Sequence, residues 1–337
     1  EPNFVSCVEA AVPMDNNVTP AREAAGTVLL AGPTASGKSA AAIAIAEEFD
    51  GVIINADSMQ IYDGLRVLTA RPSAEEEARV PHRLYGVLDP ADDCNAARWR
   101  DMALAEIANV KAAGKLPIIV GGTGLYFDIL IRGIAEIAEI SEGVRARLRD
   151  LQAREGTAVI HNMLREKDPE MAARLKPGDS QRLLRALEVV EETGIPLGEW
   201  QKRAPTGNIL EGPRLHLALN PARDWLYARC NQRLDWMIDG GNALQEVAAL
   251  KARRLDPALP AMKALGVPEL IKVLEGEMDL EAARERIKML TRRYAKRQMT
   301  WVRNKMCEAN CSSAQDLESL KADFFPFIRR FLLTERN

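Results

Sequence analysis

The residues of this chain best equipped for chemistry begin at Gly32. Gly32-Pro33-Thr34-Ala35-Ser36-Gly37-Lys38-Ser39 has the spacing G-x-x-x-x-G-K-[ST], in which backbone N–H groups and a helix start converge on phosphate oxygens. Gly32 and Gly37 let the backbone wrap the anion, Lys38 adds positive charge, and Ser39 is placed to hold magnesium. The loop points to a diphosphate or triphosphate but not to the reaction. Hydrolases and kinases of this class usually add an Asp at the end of a second apolar strand. Here Pro117-Ile118-Ile119-Val120 ends in Gly121-Gly122-Thr123-Gly124, with no acid, which disfavours an energy-coupled NTPase. Asp57 closes another apolar run, residues 52–57. In an open parallel sheet it would share the crevice of the phosphate loop, where a carboxylate could accept a proton; a helix N-cap or loop aspartate is the plainer alternative. Thr123 could turn its hydroxyl into that crevice, although Gly-Gly-Thr-Gly also serves as an ordinary turn. His82, His161 and His216 lack metal-ligand spacing and read as structural. Trp200 and Trp225 read as packing rather than as base-stacking platforms, with Trp301 a candidate exception because it lies in a basic segment.

These groups need a scaffold. Residues 27–32 form an apolar, partly β-branched run that leads through the glycine loop into an Ala-rich helical pattern. Residues 52–57 and 117–122 repeat the apolar run, with a helical stretch over 98–113 before the second, and 215–220 reads as a further strand. Continuously apolar strands separated by helices imply an α/β fold: a P-loop NTPase-like parallel sheet with helices on both faces. Residues 136–206 show no convincing strand and read as a mostly helical insertion rich in Arg and Leu. The expected organisation is a flexible N-terminal extension over 1–26, a catalytic core from 27–135 and 207–305, the helical insertion over 136–206, and a weakly patterned C-terminal tail over 306–337.

With 337 residues, 47% hydrophobic and 28% charged, the chain has the composition of a globular protein of about two domains. No apolar run approaches the 18 or so residues of a membrane helix, and the first 26 residues lack the pattern of a secretory signal. Five scattered cysteines make no disulfide framework, and Cys307 and Cys311 lack a partner pair for zinc, so free thiols in a reducing, cytoplasmic setting are expected. Net charge is −3, yet residues 284–305 carry nine basic side chains against the single acid Glu285. Solvated helix faces usually alternate in sign, so this run suggests a polyanion partner.

Beyond the phosphate loop, the chain carries NADSMQIYDGL at 55–65, VPHRLYGVLDP at 80–90 and LPIIVGGTGLYFDILI at 116–131. DPEMAARLKPGDSQRLLRALEV follows at 168–189, YARCNQR at 227–233 and TRRYAKRQMTWVR at 291–303. In these motifs the sequence resembles the tRNA dimethylallyltransferases, or tRNA isopentenyltransferases, over residues 27–305. The resemblance implies transfer of a dimethylallyl group from its diphosphate to the exocyclic amine of the adenosine 3′-adjacent to the anticodon, with diphosphate released. The missing acid then makes sense, because the breaking bond is carbon to oxygen and no phosphoryl group moves. Asp57 matches the family's base, Thr123 the threonine set against the bridging oxygen, and Arg233 a diphosphate-binding arginine that acts with Lys38 and magnesium on the leaving group. Ser58, Met59 and Gln60 match the tract lining the adenine pocket. Gln181, Arg182, Arg185 and Arg145 match positions that contact the anticodon stem-loop, and Lys296, Arg297, Gln298 and Arg303 fall in a C-terminal RNA-contacting tract. The chain departs from the usual pattern at Val67–Pro72, at Lys176-Pro177-Gly178-Asp179 and at Leu265-Gly266-Val267. No zinc-finger extension follows, which implies a bacterial-type enzyme, expected to be a monomer.

Three other readings stay open at this stage. They are a small-molecule kinase in which Asp57 activates an acceptor hydroxyl, an enzyme prenylating free adenine nucleotides, and a nucleotide-gated RNA-binding module without catalysis.

Overall fold

The computed structural model of the chain describes residues 26–135, 137–203, 207–306 and 308–334. The expected extension over 1–26 lies outside them apart from Gly26, and Cys307 lies outside them too. In chain order the elements are β1 (Thr27–Ala31), α1 (Lys38–Glu48), β2 (Gly51–Asn55), α2 (Ala74–Arg79), β3 (His82–Arg83), α3 (Ala96–Ala112), β4 (Leu116–Gly121) and α4 (Gly124–Arg132). Then come α5 (Glu142–Glu155), α6 (Thr157–Lys167), α7 (Pro169–Arg174), α8 (Ser180–Thr193), α9 (Leu197–Lys202), β5 (Arg214–Leu219), α10 (Arg223–Asp239) and α11 (Ala243–Ala252). The chain closes with α12 (Val267–Leu274), α13 (Leu280–Lys305), β6 (Asn310–Ser312) and α14 (Leu317–Thr334).

The strands form one sheet in the order β3-β2-β4-β1-β5-β6, and every pairing is parallel. Such a sheet must be covered on both faces, and the alternation along each strand shows how. Val28, Leu30, Ile53, Ile118 and Val120 point to one side, where α1 and α14 close a core through Ile43, Ile45, Leu320, Phe324 and Ile328. Leu29, Ala31, Val52, Ile54 and Ile119 point to the other, against Trp99, Ile107 and Phe127 and the helices after β5. The α/β expectation therefore holds. Between the sheet elements, α5 to α8 close a separate core around Leu148, Ile160, Leu164, Leu183 and Leu187.

The expected tail from 306 is corrected. It supplies the edge strand β6 and the helix α14, whose Leu320, Phe324 and Ile328 are almost wholly buried. A three-residue strand gives no period to read, and Pro326 inside α14 looks like a helix breaker on paper. The i, i+4, i+8 spacing of the buried trio was the available signal.

The departures from the usual pattern at 67–72 and 265–267 meet in space. Gly266 adopts φ 96°, and a Cβ there would sit 3.2 Å from Leu68 Cδ1. Leu68 and Val267 share one core, so the two changes belong to a single packing arrangement.

Candidate active site

Parallel strands deliver their carboxyl ends to one edge, and the segments carrying the candidate residues leave from neighbouring strands along it. The phosphate loop follows β1, Asp57 follows β2 and Thr123 follows β4, while α10 comes after β5. Gly121 brings the second and third together. A Cβ on it would meet the Ala56 carbonyl oxygen at 2.0 Å, so only glycine admits this approach.

In the loop, Gly32, Pro33 and Ser36 are buried, and the stretch from Thr34 to Ser39 lines a cavity of about 700 Å³. Gly37 takes φ 91° and caps α1, and Ala35 holds φ 62°, a left-handed conformation that non-glycine residues adopt at an energetic cost. The Lys38 Nζ donates to the Pro33 carbonyl at 3.1 Å. Enclosure of its ammonium lowers the Lys38 pKa to about 8; Asp57 opposes that shift and Arg233 adds to it. The helix α10 clamps the same loop, since Arg229 Nε donates to the Ala35 carbonyl at 3.1 Å and Arg233 Nη2 donates to Thr34 Oγ1. Burial also lowers the Arg233 pKa. Cations held together in an enclosed space favour an anionic ligand. Arg229 is a residue not singled out from sequence, although the Arg-x-x-x-Arg spacing on one helix face carried the signal.

Asp57 is half-buried and fixed from three sides. Its N–H donates to Asn55 Oδ1 at 2.8 Å, its Oδ1 accepts from Met59 N–H at 2.9 Å, and its carbonyl accepts from Asn55 Nδ2 at 3.0 Å. Asn55 is itself buried and accepts from Trp99 Nε1 at 2.9 Å. It is a further residue the sequence reading missed, because its role rests on contacts with Leu84 and Trp99 that no local pattern encodes. Thr123 Oγ1 accepts from Ser58 N–H at 3.1 Å, and burial, with the charge of Asp57, raises the pKa of Tyr294. Thr123 thus stands beside Asp57 but is not among the residues lining either main cavity.

A second cavity, about 430 Å³, is bounded by Ser58, Met59, Leu234, Ala264, Leu265, Leu290, Tyr294 and Arg297 among others. Asp57, Thr34, Thr69, Arg233 and Met237 line both cavities. A cationic hollow around the phosphate loop and a smaller hollow walled partly by Met59, Leu234, Leu265 and Leu290 therefore meet at one carboxylate. Gln60 plays a bracing part, its Nε2 donating to the Thr69 and Ala70 carbonyls at 2.8 Å each. Trp236, 60% exposed, stands on the wall of the larger cavity and was not anticipated.

The remaining candidates divide. Arg145, Gln181, Arg182 and Arg185 lie on α5 and α8, away from both cavities, with Arg182 paired to Asp179 at 3.0 Å and Arg185 to Glu188 at 3.6 Å. Lys296, Arg297 and Arg303 are exposed on α13. Gln298, unlike these neighbours in the expected RNA-contacting tract, is buried and bonded to the backbone of the phosphate loop and of the glycine turn. Trp301 is not an exposed stacking platform either; it donates to Asp128 at 3.2 Å and packs on Phe127. The charge run is also smaller than its sequence suggests. Arg284 pairs with Asp235, Asp239 and Glu281, Lys288 with Asp235 and Glu285, and Arg286 with Glu269. The acids that neutralise this half of α13 come mostly from α10 and α12, out of sight of any window along the sequence. His82 and His161 each bond a backbone carbonyl, as structural histidines do.

A parallel sheet with a phosphate loop after β1 and a carboxylate after β2 defines a P-loop-like α/β protein in which a second cavity opens beside that loop. The sequence pattern of the IPP transferases matches residues 60–305. The tRNA dimethylallyltransferase of Rhodospirillum centenum is 53% identical over 84% of this chain and 90% of its own length, and that of Rhodospirillum rubrum 49% identical over 91% and 95%. Among solved structures, the full-length tRNA isopentenylpyrophosphate transferase of Bacillus halodurans superposes with TM-score 0.65 at 32% identity, covering 92% of this chain and 98% of that one. A eukaryotic dimethylallyltransferase acting on tRNA gives TM-score 0.73 at 27% identity, covering 90% and 77%. This chain belongs to the IPP transferase family. Among the described residues no helix is long and apolar enough to cross a membrane.

Proposed function

We propose that the chain is a tRNA dimethylallyltransferase working in the cytoplasm as a monomer, with dimethylallyl diphosphate as donor and the anticodon stem-loop of tRNA as acceptor. The observation that supports this reading is the meeting of two cavities at Asp57, one lined by Lys38, Arg229 and Arg233 around the phosphate loop and one walled by Met59, Leu234, Leu265, Leu290 and Tyr294. The donor's diphosphate lies in the loop from Thr34 to Ser39, against Lys38, Arg229 and Arg233. The target adenosine flips out of its stack into the other cavity beside Ser58 and Met59, at a cost of a few kcal/mol recovered through pocket contacts.

An adenine amine is a poor nucleophile because its lone pair is delocalised into the ring. As the bond from nitrogen to the allylic carbon forms, Asp57 accepts the amine proton, and the carbon–oxygen bond breaks with its electron pair going to diphosphate. Negative charge grows on the leaving oxygens, where Lys38, Arg233 and the Thr123 hydroxyl stabilise it most. The donor set suits magnesium only in one manner. Among the described residues no cluster of His, Cys, Asp and Glu could hold a metal, but the exposed Ser39 hydroxyl stands on the phosphate cavity, and magnesium commonly takes few protein ligands together with phosphate oxygens. Bound there, the ion would neutralise charge on the departing diphosphate.

The direct test is to incubate the protein with total tRNA, magnesium and dimethylallyl diphosphate, digest the RNA and look by mass spectrometry for adenosine heavier by one dimethylallyl group. Its appearance is expected. Transfer of the γ-phosphate of ATP with no donor consumed would overturn the reading.

The exposed end of α13 makes a separate prediction. Arg297→Ala should weaken tRNA binding and reduce the slope of log affinity against log salt by about one, leaving the KM for donor unchanged. Titrations at several salt concentrations check this, and an unchanged slope would remove Arg297 from the RNA surface.

A further inference from the structure

The side-chain amide of Gln298 joins two segments that the sheet leaves unlinked. The last backbone bond between the strand ends is Gly32 N–H to the Gly121 carbonyl, at 3.3 Å. One step further on, Gln298 Oε1 accepts from the Thr34 N–H at 2.8 Å, and its Nε2 donates to the Gly122 carbonyl at 2.9 Å. The partners determine the orientation of the amide, since a backbone N–H can only donate and a carbonyl can only accept. Gln298 is 5% exposed, so losing either bond would leave a polar group stranded. The fit is close: a Cβ on Gly122 would come within 2.0 Å of Nε2.

Thr34 opens the phosphate-lining part of the loop, and Gly122 immediately precedes Thr123. We propose that Gln298 is a positioning residue, which sets the spacing between the phosphate cradle and Thr123 and makes no contact with RNA. This deepens the proposed function and rests on it. Spacing matters because a misplacement of about 1 Å at a reacting centre can cost roughly a hundredfold in rate. An amide is suited to the task, as it combines an acceptor and a donor on one rigid plane.

Gln298→Met keeps the volume and the helix propensity but neither hydrogen bond. Its KM for donor should rise and its kcat fall, together lowering kcat/KM about 100-fold, while the Kd for tRNA stays within about twofold. Inorganic diphosphate should bind roughly tenfold more weakly by calorimetry, a readout that needs no transfer reaction. Gly122→Ala displaces the same amide, so Gly122→Ala with Gln298→Ala should be no worse than Gly122→Ala alone. The inference is overturned if Gln298→Met loses only tRNA affinity, if it keeps donor KM, kcat and diphosphate Kd within about twofold, or if the two substitutions multiply. An inactive wild-type protein would instead count against the proposed function, and the diphosphate titration would still decide the role of Gln298.

Discussion

Asp57→Asn should lower kcat by roughly two to four decades while tRNA affinity stays nearly intact. The substitution is chosen because an asparagine Oδ1 can still accept from the Met59 N–H that Asp57 now holds at 2.9 Å. The turn after β2 should therefore keep its shape, and the missing activity can be ascribed to the missing base. Asp57→Ala adds loss of that turn bond and should be at least as severe. A second readout separates a catalytic carboxylate from a structural one. Asp57 is the acid that offsets Lys38 and Arg233, so removing its charge leaves the phosphate cavity more positive. Near neutral pH, inorganic diphosphate should then bind at least as tightly to Asp57→Asn as to the wild type, while turnover collapses. Single-turnover kinetics with calorimetric titration would check both halves. A kcat within about tenfold of wild type would dismiss Asp57 as the base.

How far such a site can be read from sequence depends on the range of the contacts that build it. The phosphate loop was legible because its glycines, lysine and following helix are contiguous and each has a local reason. Asp57 and Thr123 were legible as strand ends, since residues at the carboxyl ends of parallel strands share a crevice whatever the details. Arg233 came from the family resemblance, and the structure gives it a physical reason in its bond to Thr34. What was illegible was carried by distant pairs. Gln298 reaches the loop across 264 residues, and the resemblance placed it only in a basic RNA-contacting tract, with no sign that its side chain turns inward. A helix puts successive side chains about 100° apart, so a basic tract can conceal one inward residue. The same geometry explains the overcounted charge: Arg284 looks like part of an RNA-binding run until α10 supplies Asp235 and Asp239. Charge counted along the chain measures potential only where the fold leaves it unpaired.

Lys38→Met should reduce kcat/KM for donor by about two to three decades, the range seen when one preorganised stabiliser of a developing anion is removed. The lysine also supplies a signature in pH. Enclosure holds its pKa at about 8 in the free protein, and a bound diphosphate must raise that value, because the anion interacts more favourably with the ammonium than with the neutral amine. The direction of the pH effect follows by linkage. Below pH 8 Lys38 is already charged, so its titration should give donor affinity no pH dependence there. Above pH 8 the free protein must take up a proton to bind, and affinity should fall with a limiting slope of about tenfold per pH unit until the raised pKa of the complex is reached. Calorimetry at pH 8.5 in buffers of different ionisation enthalpy should register proton uptake in the wild type and none from this source in Lys38→Met. Donor affinity that stays flat from pH 7.5 to pH 9.5 would mean that the Lys38 ammonium does not touch the phosphates. The loop would then hold its anion through backbone N–H groups and the α10 arginines alone. Arg229 and Arg233 stay protonated throughout that range, as arginines do, so any loss of affinity across it that Lys38→Met abolishes belongs to the lysine.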